Sequence, residues 1–156
     1  MNKEEYLDLI NKLDIYISNE IEELEKLKVI AEKITQENDG MPHASGTSDK
    51  VGNFAVKIVM KRQEINNTID LFYELREEII AQIKKLRTDE YDVLYKYYVL
   101  NMSINKISEI KNKSVSWVKE IKKTGIKYLK INNSSNLRIA SKKILSKVTQ
   151  SDLDCT

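Results

Sequence analysis

The sequence predicts an all-α fold, and three observations carry that expectation. Apolar residues recur at alternating spacings of 4 and 3 through two long stretches of the 156-residue chain, a helical period and not a strand period. Gly (4) and Pro (1) are too scarce for the many turns of a β-sandwich or barrel. Ser, Thr and Asn stand where a series of short helices would start and stop. In order, these elements give a long antiparallel helical hairpin followed by a smaller C-terminal helical domain.

The first segment predicts one helix from about Lys3 to Thr35. Its seam is Tyr6, Ile10, Leu13, Ile17, Glu20, Leu24, Leu27, Ala31 and Ile34, apolar at every place but Glu20. Such a heptad seam buries a narrow stripe against another helix. The stretch Glu37–Ser48 holds two Gly and the only Pro and reads as a connecting loop. It has no GxxxxGK[ST] pattern, so a phosphate-binding loop is not indicated. His43 lies in this loop without a partner suggested by spacing.

A second long helix is expected from about Asp49 to Arg87, with Ser48 as its N-cap. Its seam reads Val51, Ala55, Ile58, Arg62, Ile65, Ile69, Phe72, Arg76, Ile79, Ile83 and Leu86. Two helices of similar length joined by one loop fold back most simply as an antiparallel pair. So long a pair has little core of its own, which favours self-association through residues 1–87. Closure by the chain's own C-terminal domain is the alternative.

Thr88 is the expected cap of a tyrosine-rich helix, about Asp89 to Leu100, that ends at Asn101. Ser103 caps a short helix, Ile104 to Ile110. Lys111-Asn112-Lys113 turns the chain, and Ser114 caps a longer helix, about Val115 to Lys130. Asn101 and Asn112 both tolerate the left-handed conformation such turns require. Two helices joined by a turn of about three residues outline a helix-turn-helix. Residues 131–156 form a tail. In it Leu137, Ala140, Ile144 and Val148 could line one short helix, with Arg138, Lys142, Lys143 and Lys147 outside.

Charge is distributed unevenly beneath a net +2. Residues 1–40 carry 5 Lys/Arg against 11 Asp/Glu, and residues 91–130 carry 9 against 3. A basic segment on a capped two-helix outline is a candidate for nucleic acid. Turning about 100° per residue from Val118 puts Ile121, Gly125 and Leu129 on its side of the helix. Ser116, Lys119, Glu120, Lys123, Lys127 and Lys130 fall opposite. Gly125 then sits where another helix approaches closely. Ser114, Ser116, Lys119 and Glu120 would meet base edges or nearby phosphates of double-stranded DNA. Lys111, Lys113, Lys122, Lys123 and Lys127 would neutralise phosphates. Trp117 lies on the flank, where packing is the commoner role and stacking on sugar or base the other.

Residues Val93 to Leu129 resemble sigma-factor region 4, a helix-turn-helix of the sigma-70 type. Val93, Leu94, Tyr98, Ser103, Ile107, Ser114, Val118 and Leu129 match its pattern. Gly125 stands where the family usually has Ala. Lys106 and Ser108 depart from Glu and Ala, Asn101 and Asn112 from the two turn glycines, and Trp117 from a Thr or similar residue. With the helical front added, residues 24–130 resemble the ArpU/RinA-like regulators of Gram-positive phages and prophages. The resemblance implies a stand-alone DNA-binding transcriptional regulator, often a late-gene activator, and leaves contact with RNA polymerase open. Two other classes stay in view: a small terminase-like packaging protein, and a helical adaptor that binds RNA polymerase and not DNA.

No nucleophile–base pair, metal cluster or phosphate loop is apparent, so an enzyme, a cofactor and a metal are not expected. One Cys excludes an intramolecular disulfide, and Cys155 reads as an incidental thiol. No apolar run reaches the about 18 residues of a membrane span, and the acidic N-terminus lacks a signal-peptide core. The expected location is the cytoplasm.

Overall fold

The computed structural model describes residues 2–37, 47–131 and 135–151, and every described element is helical. The long helices are α1 (Lys3–Glu37) and α2 (Thr47–Ile83). They are followed by α3 (Thr88–Leu94), which runs on as a π-helical turn (Tyr95–Val99). Then come α4 (Ile104–Lys111), α5 (Val115–Tyr128) and α6 (Asn136–Ser151). Residues of the connector, His43 among them, the 132–134 linker and Cys155 lie outside the described residues, as does the Val148 side chain. No described helix is long and apolar enough to cross a membrane.

The chain divides into two compact units, one of Met1–Asp14 with Leu71–Thr156 and one of Ile15–Asp70. In the first, Tyr6, Leu7, Ile10 and Leu13 of α1 meet Leu75, Ile79 and Ile83 of α2 together with Leu94, Tyr98 and Leu129. Leu137, Ile144 and Leu145 of α6 pack against the same cluster. Glu78 ties three segments: it accepts from the Tyr6 hydroxyl at 2.6 Å and from the Ser135 hydroxyl at 2.7 Å. Burial first, then the bond to Glu78, pushes the Tyr6 phenol far above its ordinary pKa.

In the second unit Glu20 meets Lys61 at 2.9 Å, with both side chains less than a quarter exposed. Thus the one polar interruption of the α1 seam faces a polar residue of α2. The α1 seam is inward as expected, with Tyr6, Ile10, Leu13, Ile17 and Leu24 buried.

The α2 seam is shifted by one residue at four of its places, while Ile65, Ile79 and Ile83 are buried as expected. Phe54, Lys61, Thr68 and Leu75 are more buried than Ala55, Arg62, Ile69 and Arg76, which were expected there. A period near 3.5 accommodates two stripes one residue apart, and apolar character does not choose between them: Phe54 and Leu75 lie in one set, Ala55 and Ile69 in the other. Ser48 lies inside α2, one residue after its start. The helix ends at Ile83, where Lys85 and Leu86 N–H groups turn back to Gln82 and Ile83 carbonyls at 3.2 and 3.0 Å.

The cap of α3 is Arg87, with extended backbone, and not Thr88. The buried Glu90 carboxylate accepts the Arg87 N–H at 3.4 Å, so the acidic residue of the first turn supplies the capping. In α6, Ser141 is buried and hydrogen-bonds to the Leu137 carbonyl at 2.7 Å, and Arg138 is half-buried where full exposure was expected.

Candidate nucleic-acid interface

Three helices meet at one point, where Val93 of α3, Ile107 of α4 and Val118 of α5 are fully buried together. Tyr97, Met102, Ile104, Trp117 and Ile121 pack around them. Trp117 is therefore a packing residue on the flank of α5. Gly125 lets α3 approach α5: a Cβ there would stand 3.0 Å from Leu94 Cδ1 and 3.3 Å from Glu90 Cβ.

Local hydrogen bonds fix the turn between α4 and α5. The Ser103 hydroxyl accepts from Lys106 N–H at 3.2 Å, and the Ser114 hydroxyl from Trp117 N–H at 3.1 Å. Asn112 is left-handed, with φ 51° and ψ 46°. Its N–H reaches the Glu109 carbonyl, and Lys113 N–H reaches back to Ser108 at 3.1 Å. This is the Schellman closure, and it satisfies the last carbonyls of α4. The Ser108 hydroxyl then donates to the Lys113 carbonyl at 2.6 Å. Asn101, with φ 52°, makes the other left-handed turn.

The helical wheel expected from the sequence is the one observed. Val118, Gly125 and Leu129 are buried and Ile121 half-buried. Ser114, Ser116, Lys119, Glu120, Lys123, Lys127 and Lys130 are exposed. Lys113, Lys119, Lys123 and Lys127 form no ion pair with a described residue. Lys113 rests its ammonium 5.6 Å from the centroid of the Trp117 ring. The result is a basic outer face, interrupted only by Glu120, on a helix whose other side is locked into the core.

Two of the candidate lysines point elsewhere. Lys111 bridges back to α3, with its ammonium 2.7 Å from Asp92 and 3.3 Å from Asp89. Its hydrogen bond to Asp92 outweighs desolvation and raises its pKa. Burial works to raise the Asp92 pKa, but the bonds from Lys111 and Lys96 overcome it and hold the carboxyl below its ordinary range. Lys122 lies over the Tyr97 ring at 4.1 Å and near Tyr98 at 5.3 Å. It lines a cleft of about 310 Å³ with Glu4, Glu5 and Asp8. Both lysines are thus engaged with other parts of the chain.

A further lysine was not singled out by the sequence. Lys3 of α1 donates to the Lys127 carbonyl at 2.6 Å, placing a cation at the C-terminal end of α5. Nothing in a separation of 124 residues signals such a contact. Among the described residues no group of three His, Cys, Asp or Glu is arranged to hold a metal ion. No protein-family model, curated protein or solved structure matches this chain.

Proposed function

We propose that the chain is a DNA-binding transcriptional regulator of phage or prophage origin, a late-gene activator in kind, that inserts α5 into the major groove of double-stranded DNA. The observation that carries this reading is the outer face of α5. Lys119, Lys123 and Lys127 stand exposed on it, beside Lys113, while Val118, Gly125 and Leu129 hold its other face in the core. The left-handed Asn112 and the caps at Ser103 and Ser114 support a helix-turn-helix over residues 88–130. The origin and the regulatory role rest on the resemblance of residues 24–130 to ArpU/RinA-like regulators.

In this reading residues 1–87 form a long antiparallel hairpin that carries self-association. Within the unit Ile15–Asp70, Tyr16 lies within electrostatic reach of Glu64 while Glu20 pairs with Lys61, the order an antiparallel pair requires. Ile15, Val56, Val59 and Met60 in that unit are more than half exposed, which supports a second copy as their cover.

The test is a Lys119→Ala/Lys123→Ala variant of the full chain. Its melting temperature should match the parent, since exposed changes stay within about 0.5 kcal/mol. Its DNA affinity should fall, with log K against log salt shallower by about one unit for each phosphate no longer neutralised. Val118→Asp should instead unfold the domain by burying an unpaired charge. If the double variant binds DNA like the parent at every salt concentration, α5 is not the reading element. Mapping of bound DNA with transcript levels in the same cells would then test the regulatory role directly.

A further inference from the structure

We propose that a pocket at the far end of α5, formed by Lys85, Leu86, Tyr128 and Lys130, is a second subsite for a backbone phosphate of the same duplex. This inference rests on the DNA-binding reading of α5 and extends the contact beyond the residues that reading uses. The pocket encloses about 160 Å³ and is completed by Gln82. Its walls come from the turn after α2 and from the end of α5, so the fold brings together lysines 45 positions apart in the chain.

Three features point to an anion. Among the described residues no carboxylate lines the pocket, and the Lys85 ammonium donates to the neutral Gln82 amide oxygen at 3.2 Å. Lys85, Lys127 and Lys130 form no ion pair with a described residue, whereas Lys61, Lys96 and Lys111 do. Tyr128 is 59% exposed, with the Lys127 ammonium 5.7 Å from its ring centroid. An exposed ring beside lysines offers a face for a sugar and a hydroxyl for a phosphate oxygen.

The end of a helix is ordinarily poor ground for an anion, because its free carbonyls carry partial negative charge. Here Lys3 already donates to the Lys127 carbonyl at 2.6 Å, which offsets that charge. The spacing also suits a duplex. Ser116 and Tyr128 are twelve residues apart on one helix, about 18 Å at a rise of about 1.5 Å per residue. That is about five base pairs at about 3.4 Å per step along each strand. With α5 lying along the duplex, the subsite would hold a phosphate about half a turn from the bases that the start of α5 meets, and nearer for a helix tilted across the groove.

The experiment compares the full chain with Lys85→Gln/Lys130→Gln and, separately, Tyr128→Ala. Each is titrated with a long duplex carrying the bound site and with one shortened by about five base pairs on the side of the α5 end. On the long duplex the lysine variant should lose affinity, with a salt slope shallower by about 0.9 for each phosphate released. Tyr128→Ala should weaken binding with the slope nearly kept. On the short duplex both variants should bind like the parent. Equal binding of parent and variants on the long duplex, while Lys119→Ala/Lys123→Ala still loses affinity, overturns the subsite and leaves the role of α5 standing. A parent that binds no duplex at low salt overturns both. Inorganic phosphate titrated at constant ionic strength separates the sources. Saturable binding of it that Lys85→Gln/Lys130→Gln abolishes, with the long-duplex slope unchanged, assigns the pocket to free phosphate and overturns the duplex assignment.

Discussion

Gly125 of α5 lies directly against Leu94 of α3, so closely that a single added Cβ would stand 3.0 Å from Leu94 Cδ1. This close approach sets how near the basic helix sits to the tyrosine-rich one. Gly125→Leu should lower stability by about 1–3 kcal/mol through overpacking. Gly125→Ala should come out near neutral, because the helix-propensity gain of about 1 kcal/mol is offset by displacing Leu94. In a Leu94→Ala background the same Gly125→Ala change should recover that gain. Urea denaturation of the four chains measures the coupling. Additive changes would show that the two residues do not compete for space.

The left-handed backbone at Asn112 sets a second expectation. Asn112→Gly should keep or raise the melting temperature, since Gly has no Cβ to strain there. Asn112→Val should cost about 1–2 kcal/mol and leave the helices otherwise intact. Thermal melts with circular dichroism check both.

Lys111 and Lys123 should behave as different kinds of residue. Lys111 is engaged with Asp89 and Asp92, while Lys123 is exposed and outside every ion pair among the described residues. Lys111→Met should lower the melting temperature and leave the salt slope of DNA binding unchanged. Lys123→Ala should do the reverse. A Lys111→Met protein with full stability and a shallower slope would return that residue to the proposed phosphate contacts.

The same tether predicts a pH response. Asp92 has a lowered pKa in the folded protein, so its contribution to stability is present above the ordinary carboxylate value, near about 3.9. It is lost as pH falls from there through the folded value. Lys111 has a raised pKa, so its part is present below about 10.4 and lost as pH rises through the higher folded value. Asp92→Asn should therefore destabilise at neutral pH, with the deficit shrinking below about pH 4. A deficit constant down to about pH 2 would mean the carboxylate's charge is not what holds α4.

The parts of the fold legible in the sequence were those governed by local chemistry. Ser103, Ser114, Asn101 and Asn112 act on backbone groups within a few residues, so their roles follow from type and position. The inner and outer faces of α5 were legible because its buried stripe is short and its polar face strongly charged. The phase of α2 was not, because Phe54 and Leu75 alternate with Lys61 and Thr68 in the true stripe. Lys61 is tolerated there only because Glu20 of another helix faces it. Leu7 and Leu9 were missed since α1 is buried on more than one side near its start. Within the candidate interface, Lys111 and Lys122 looked like their neighbours in composition. Their separation from the exposed face comes from Asp89, Asp92 and Tyr97, whose proximity is a product of folding.

The π-helical turn at Tyr95–Val99 gives this segment one residue of slack. Leu100 N–H reaches the Tyr95 carbonyl, five residues back, at 3.0 Å, and Met102 N–H reaches Lys96, six back, at the same distance. The turn thus carries one residue more than an α-helical turn would. Losing one residue from 95 to 99 would let the backbone close into a regular helix, a locally easier shape, through about the same rotation. Ile107 would still face Val93 and Val118, and the outer face of α5 would keep its direction. A regular helix has no such slack: one residue lost from α5 between Val118 and Gly125 would swing everything beyond by about 100° and draw it back by about 1.5 Å. Of two single-residue deletions, one in each place, the one in the π-helical turn should therefore melt at the higher temperature.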